Sequence, residues 1–295
     1  MLNKKVRSIF EILLADLFWG FGFIATAWTL ISFSVFQSLY LRFLLIALVS
    51  APFIFYKIAF AEFKNYLKIS FLPGLFLICE ILFQILGIKY TTPSKAGFIT
   101  TLFIVIVPIL EKIFLQRTIS KSHWLWVTIS LVGTYLIIGS QLSEISRGDG
   151  LILVSAIFAS FHILIIGSVS QENVSLFKLN LFQAYWGCLL TAPLIWLDPL
   201  VSLGSVHQLA LFGLLALTFG TTLLAFYFQM RAQRHILPSV ASLLFLFEAP
   251  LAALFSFYLM NESLDIFQIL GCVIVLLSAS GVILTSYVKK IDLEN

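Results

Sequence analysis

Residues 81–96 read ILFQILGIKYTTPSKA, and residues 226–241 read FYFQMRAQRHILPSVA. Phe83-Gln84 answers to Phe228-Gln229, and Pro93-Ser94-x-Ala96 to Pro238-Ser239-x-Ala241, each pair 145 positions apart with no gap between them. Self-similarity at so long a period marks two related halves of one chain. Carried forward, the offset sets Arg117-Thr118-Ile119 against Glu262-Ser263-Leu264, and Ile129 and Leu131 against Ile274 and Leu276. Carried backward it shortens to 141, where Ala51-Pro52 meets Ala192-Pro193.

Composition says what kind of halves these are. With 60% hydrophobic residues, 11% charged and a mean hydropathy of +1.05, the chain lacks the polar surface of a soluble globule, whose charged share is about 25%. A net charge of +4, thinly spread, offers no nucleic-acid footprint. Cys79, Cys188 and Cys272 each fall inside an apolar run without motif spacing, so they are expected as reduced packing residues and not as a redox or metal site.

Ten apolar runs are long enough to cross a bilayer as helices: 10–31, 36–56, 69–90, 96–115, 124–140, 151–169, 179–197, 209–230, 240–260 and 266–288. The connections hold the polar and helix-ending residues, among them Glu62 to Asn65, Thr91 to Lys95, Ser143 to Asp149, Ser170 to Ser175 and Asp198-Pro199. With no water in hydrocarbon to satisfy backbone groups, a helical bundle is the expected form. Lys4, Lys5 and Arg7 before the first run and Ala25-x-Ala27 within it imitate a cleaved leader. Asp16 interrupts that run, which continues beyond Ala27, so it is expected to be retained.

Lysine and arginine set the orientation. Ten spans put Lys4, Lys5, Arg7, Lys57, Lys64, Lys68, Arg117, Lys121, Lys178, Arg231, Arg234, Lys289 and Lys290, thirteen in all, on the side of the termini, against three, Lys89, Lys95 and Arg147, on the other. Both termini are therefore expected in the cytoplasm. Five helices per half is an odd number, so the second half enters the membrane upside down relative to the first. The expected fold is an all-α membrane protein of ten transmembrane helices in two inverted five-helix repeats, residues 1–145 and 146–295. Inverted repeats are a common construction of secondary transporters, whose sites lie near the midplane between the halves.

The residues also resemble the EamA-like branch of the drug/metabolite transporter superfamily. The likeness runs through Trp19-Gly20 and Phe23, Arg42-Phe43, Phe83-Gln84, Gly87, Tyr90-Thr91, Lys95 to Thr100 and Val107-Pro108. In the second half it continues through Gly150, Ala159, His162, Gln229, Ala232-Gln233-Arg234, Phe247 to Pro250 and Glu262-Ser263-Leu264. Arg117 and Trp126 depart from it, standing where the family often has an acidic residue and a glycine, and Glu80 lies outside the pattern. The resemblance implies ten helices and transport of small organic solutes such as metabolites, amino acids or drug-like compounds.

A charge in hydrocarbon costs several kcal/mol and points to function or to a partner. Glu80 lies about eleven residues into the third run and Glu248 about nine into the ninth, so at roughly 1.5 Å per residue both fall near the midplane. Glu80 shares a helix face with Gln84 and Gly87 and is read as lining a cavity; Glu248 either binds a cation or proton or serves helix packing ahead of Pro250. Arg42 either pairs with an embedded acid or holds a substrate carboxylate. His162 is either a hydrogen-bonded interface residue or a proton carrier. Asp16 and Trp19 share a face, with Trp19 as an aromatic wall. The substrate-binding or coupling residues are thus expected to be Trp19, Arg42, Glu80, Gln84, His162, Gln229 and Glu248. Glu111 and Lys112 are read as interfacial side chains that snorkel, and the phenylalanines as packing or lipid-facing residues.

Small residues at Gly133, Gly139, Gly271, Ser278, Ala279, Ser280 and Gly281 permit close helix approach, to a neighbouring helix or to a second copy, which leaves a homodimer open. Hydrolase, zinc-protease and phosphate-loop motifs are absent from the sequence, so no enzyme, catalytic residue, metal or cofactor is expected. The expected function is a secondary transporter in the cytoplasmic membrane, with protons as a candidate coupling ion, and the rival is a membrane protein without transport, such as a lipid-interacting or assembly subunit.

Overall fold

A computed structural model describes residues 2–139, 145–197 and 206–294, of which 2–3, 55, 57, 138–139 and 283–294 by backbone alone. The connections at 143–144 and at Asp198-Pro199 lie outside the described residues. Among those described there is no strand. The helices are α1 (Leu2–Thr29), α2 (Val35–Lys57), α3 (Phe60–Ile88), α4 (Pro93–Thr100), α5 (Phe103–Leu115), α6 (Lys121–Gly139), α7 (Arg147–Val169), α8 (Leu176–Thr191), α9 (Gln208–Leu215), α10 (Phe226–Gln233), α11 (Pro238–Leu244), α12 (Glu248–Met260) and α13 (Ile266–Glu294). Seven stretches are long and apolar enough to cross a membrane: most of α1 and α2, then α3, α4 with α5, α7, α9 to α10, and α11 to α12. Of the other helices, α8 has 16 residues before a 3-10 stretch at Ala192–Leu197, and α13 opens with the apolar stretch Ile266–Val282, up to which its side chains are described.

Three of the runs expected as unbroken helices are interrupted. Apart from the seventh with its 3-10 end, the fourth is interrupted at Thr101-Leu102, where backbone bonds shorten to the i to i+3 pattern, and the ninth passes through a 3-10 turn at Phe245–Phe247. Pro250 explains the second break, because it denies a hydrogen bond to the carbonyl of Leu246 and crowds it. The eighth run widens into a π-helical stretch at Ala216–Ala225, whose loosened carbonyls at Thr222 and Leu223 accept from the Asn180 amide. Helix starts also come earlier than the apolar runs: Glu62 to Asn65 form the first turns of α3, and Pro93 to Lys95 the first turn of α4.

The repeat is written into the helix bounds. Ile88 and Gln233 end their helices 145 residues apart; Pro93 and Pro238 begin α4 and α11 at that offset, as do Phe103 and Glu248 in α5 and α12. Gln116 and Asn261, again 145 apart, close α5 and α12 and are the two positive-φ residues other than glycine among the described residues. Left-handed C-caps at matching positions stop both helices in the same way.

Close packing follows the small residues. Gly133 and Gly271 let α6 and α13 touch backbone to backbone, Ser130 donates to Ser278 at 2.6 Å, and Gly281 accommodates the Trp126 ring. That face of α13 is therefore occupied by α6. The three cysteines are half-buried and free.

Candidate functional site

A cavity of about 40 Å³ lies where α1, α2, α3, α4, α5, α7, the π stretch, α10 and the α11–α12 junction converge. Trp19, Arg42, Glu80, Gln84, His162, Gln229 and Glu248, the seven residues singled out from the sequence, all line it. Four of its positions on α3, α4 and α5 have their repeat counterparts across the space: Ile81 and Phe226, Gln84 and Gln229, Thr100 and Phe245, Phe103 and Glu248. The cavity therefore sits on the relation between the halves. A water needs roughly 10–15 Å³ measured this way, so the space admits a few waters and no metabolite.

Arg42 is 3% exposed. Its Nε and Nη2 donate to the hydroxyls of Thr222 and Thr221, both on the π stretch, and both threonines anchor back to the Leu217 carbonyl. Of the two alternatives read for Arg42, pairing with an embedded acid is not seen as an ion pair among the described residues. Glu80 acts on Arg42 through charge without forming an ion pair, and Arg42 Nη1 is left unbonded. The repacked turn of α9 to α10 is the physical reason, since it turns two neighbouring hydroxyls onto one guanidinium.

Glu80 is held by the backbone on one side, where Ser155 donates to its carbonyl at 2.8 Å. Its carboxylate Oε2 has His162 Nδ1 at 3.9 Å and no hydrogen bond. His162 Nε2 meets Gln183 Oε1 at 3.0 Å, and the ring stands edge-on to Phe226. Gln229 donates to Gln233, leaving its Oε1 without a partner among the described residues. Trp19 packs edge-on between Phe226 and Phe245, with Nε1 also unpartnered. Gly87, on the Glu80 and Gln84 face, packs instead against Ile152 of α7.

Several side chains escaped the sequence reading. Phe103, Phe226 and Phe245 form the apolar wall, contrary to the reading of phenylalanines as lipid-facing or packing residues. With thirty phenylalanines in the chain, residue type carries no contrast. Asp16, placed from the sequence on the Trp19 face, is fully buried with both carboxylate oxygens unbonded and does not line the cavity. Glu111 is also fully buried and does not snorkel: it bonds Arg117 and the Ser239 N–H, while Lys112 is exposed. What buries Glu111 is α11 from the other half, invisible in the local run.

Polar ties close the bundle at both ends. At one end Lys95 and Thr91 hold Asp149 at 2.7 and 2.8 Å, and His207 N–H donates to Ser32. At the other, Lys178 meets Glu62 at 2.6 Å, Arg231 meets Glu11 at 2.7 Å, and Arg234 donates to the carbonyls of Ser170 and Val174.

A polytopic helical chain, built as two repeats around a polar cavity, is the architecture of a membrane carrier. The EamA-like transporter family profile matches residues 6–139 and again 146–284, and the chain belongs to that family. An "Uncharacterized transporter" of Archaeoglobus fulgidus is 28% identical over 276 residues, 93% of this chain and 85% of the relative. A solved structure described as "Crystal structure of protein" shares the fold at a TM-score of 0.71 and 16% identity, over 92% of this chain and 95% of that one.

Proposed function

We propose that the chain is a secondary carrier which moves a small cationic or zwitterionic organic solute across the cytoplasmic membrane by alternating access. The observation that carries this reading is the convergence of repeat-related residues from both halves on one cavity that holds buried polar and charged groups. Arg42 Nη1 is available to a carboxylate, Glu80 Oε2 to an ammonium group, Gln229 Oε1 to a donor, and the Trp19 face to an apolar or cationic part of the solute. At about 40 Å³ the cavity is too small for such a solute, so binding requires the halves to move apart.

The two repeats, 1–145 and 146–295, are taken as inverted, giving ten spans. Two features support this. α4 begins beside the end of α12, and α11 begins beside the end of α5, so these repeat-related helices run antiparallel. Every cross-connection tie joins segments that ten spans would put on one side: Glu62 with Lys178, Glu11 with Arg231, Lys95 with Asp149, Ser32 with His207. With the thirteen-to-three charge bias, both termini are cytoplasmic. Lacking an ATP-binding motif, the carrier draws on gradients; Glu80 and Glu248 are the groups proposed to take and release a proton as the solute leaves and binds.

Thermal stability of the purified protein against amino acids, nucleosides and polyamines tests the solute assignment. A specific ligand must stabilise by mass action, by about 2.7 kcal/mol at a hundredfold excess over Kd. Stabilisation confined to compounds without a cationic group would reject it.

A further inference from the structure

A second cavity, of about 180 Å³, lies where α5, α7 and α10 finish and α11 begins. Arg117, Gly167, Gln171, Arg234, His235 and Pro238 are among the residues that line it. Its charged groups are positive. Arg234 Nε and Nη2 donate to the backbone carbonyls of Ser170, Glu172 and Val174, which fixes the guanidinium without neutralising it. Among the described residues Arg234 has no ion pair, and its Nη1 makes no bond. Arg117 gives Nη1 to Glu111 and has Nε and Nη2 left, while the other oxygen of Glu111 accepts from the Ser239 N–H. Burial first, and then the charges of Lys4 and Arg234, hold the His235 imidazole below its ordinary value. The repeat counterparts of Arg117 and Arg234, 145 positions away, are Glu262 and Lys89, so the two arginines are not repeated in the other half.

The pocket continues the line of the central cavity. On α7, Ile163 lines the cavity and Gly167, four residues or about 6 Å further along, lines the pocket. Gln229 of α10 lines the cavity, and Arg234, just past the end of that helix, lines the pocket. Gln233 stands between the two. Fully buried, it accepts from the Gln229 amide at 3.0 Å and donates to the Ile163 carbonyl at 2.9 Å. A methyl group at Gly167 would come within 3.5 Å of its Nε2. From the pocket, the Gln171 amide donates to the backbone carbonyls of Gln233 and Arg234. One side chain therefore touches residues of both spaces.

We propose that the pocket of Arg117 and Arg234 is an anion-binding antechamber of the central cavity, which receives the carboxylate or phosphate of the solute, and that the Gln233 side chain is the partition the solute passes. The proposal rests on the carrier reading above and narrows the solute to one that carries an oxyanion; ten spans put the antechamber on the cytoplasmic side. Guanidinium groups match either oxyanion, because their planar N–H forks meet two oxygens at once. Beyond the partition, Arg42 Nη1 is the unbonded guanidinium nitrogen of the cavity. Displacing the Gln233 side chain breaks two hydrogen bonds between neutral groups and no ion pair.

Charge-selective labelling tests the assignment. In protein with Cys79, Cys188 and Cys272 replaced by serine, Leu237, half-exposed in the pocket wall, is replaced by cysteine. It is treated with an anionic sulfonatoethyl or a cationic trimethylammonioethyl methanethiosulfonate, each rate taken relative to the same reagent with free thiol. The anionic reagent is expected to react severalfold faster, and inorganic phosphate to slow it more than chloride at equal ionic strength. Arg117→Gln or Arg234→Gln brings the two rates together. If either fails to fold, His235→Glu on the exposed rim reverses the preference and leaves both guanidinium groups in place. In the same cysteine-free background Ala159→Cys reports the cavity, and Gln233→Ala raises its labelling severalfold. No preference for the anion, or equal protection by phosphate and chloride, overturns the antechamber; unchanged labelling of Ala159→Cys in Gln233→Ala protein overturns the partition. Protection in nanodiscs by phosphatidylglycerol and not by phosphate assigns the pocket to a lipid headgroup and overturns the solute reading. Charge-selective, phosphate-protected labelling in protein that transports nothing would uphold the site and sink the carrier reading instead.

Discussion

Glu80 and Glu248 reach the cavity from different halves, and in neither does the surrounding protein supply a full ion pair. If one of them carries the coupling proton, Glu80→Gln or Glu248→Gln keeps the shape, removes the charge and flattens the pH dependence of uptake in vesicles. Wild-type rates and pH dependence in both variants would make the acids structural. Arg42 permits a separate check. Thr222→Val leaves its Nε unbonded in the interior, a loss of about 1–3 kcal/mol, read as a lower unfolding temperature in detergent. Thr128→Val removes an exposed hydroxyl bonded only to its own helix and is expected to change little. The acids, Arg42 and His162 were legible in the sequence because charge stands out in apolar runs. Thr221, Thr222 and the three cavity phenylalanines were not, because threonine and phenylalanine are ordinary there and only a π-helical turn and the partner half aim them inward.

Among the elements, α6 and α13 approach backbone to backbone. A side chain at Gly271 would meet Ile137 and the Gly133 carbonyl, whereas one at Gly150 meets nothing within 4 Å. Gly271→Val is expected to destabilise by about 1–3 kcal/mol as overpacking does, and Gly150→Ala to be neutral, in the same thermal assay. A shift of equal size in both would contradict the packing described. The long apolar runs and the repeat offset located these elements from the sequence to within a few residues. The interior breaks were harder to read, because Pro108 and Pro250 mark a region and not the turn at which the ladder gives way. The extra first turns of α3 and α4 were missed because polar residues at a membrane edge read equally well as connection.

At the scale of the whole molecule, the inverted arrangement makes a topological prediction. A reporter after residue 295 and one near Arg147 are expected on opposite sides, with the C-terminal one in the cytoplasm; the same side for both would remove the inversion. The paired helix bounds and the cavity between the breaks of α4–α5 and α11–α12 are what the proposed inverted pair of five-helix units would produce. The solute itself is not legible by the same means, since a cavity of about 40 Å³ shows which groups line it and not the shape of what they would bind. Uptake of labelled amino acids, nucleosides and polyamines into liposomes containing the purified protein tests the central claim most directly. The account predicts saturable uptake of at least one cationic or zwitterionic compound, lost in Arg42→Ala or Glu80→Gln protein that remains folded. Folded wild-type protein that moves none of them faster than empty liposomes would contradict it.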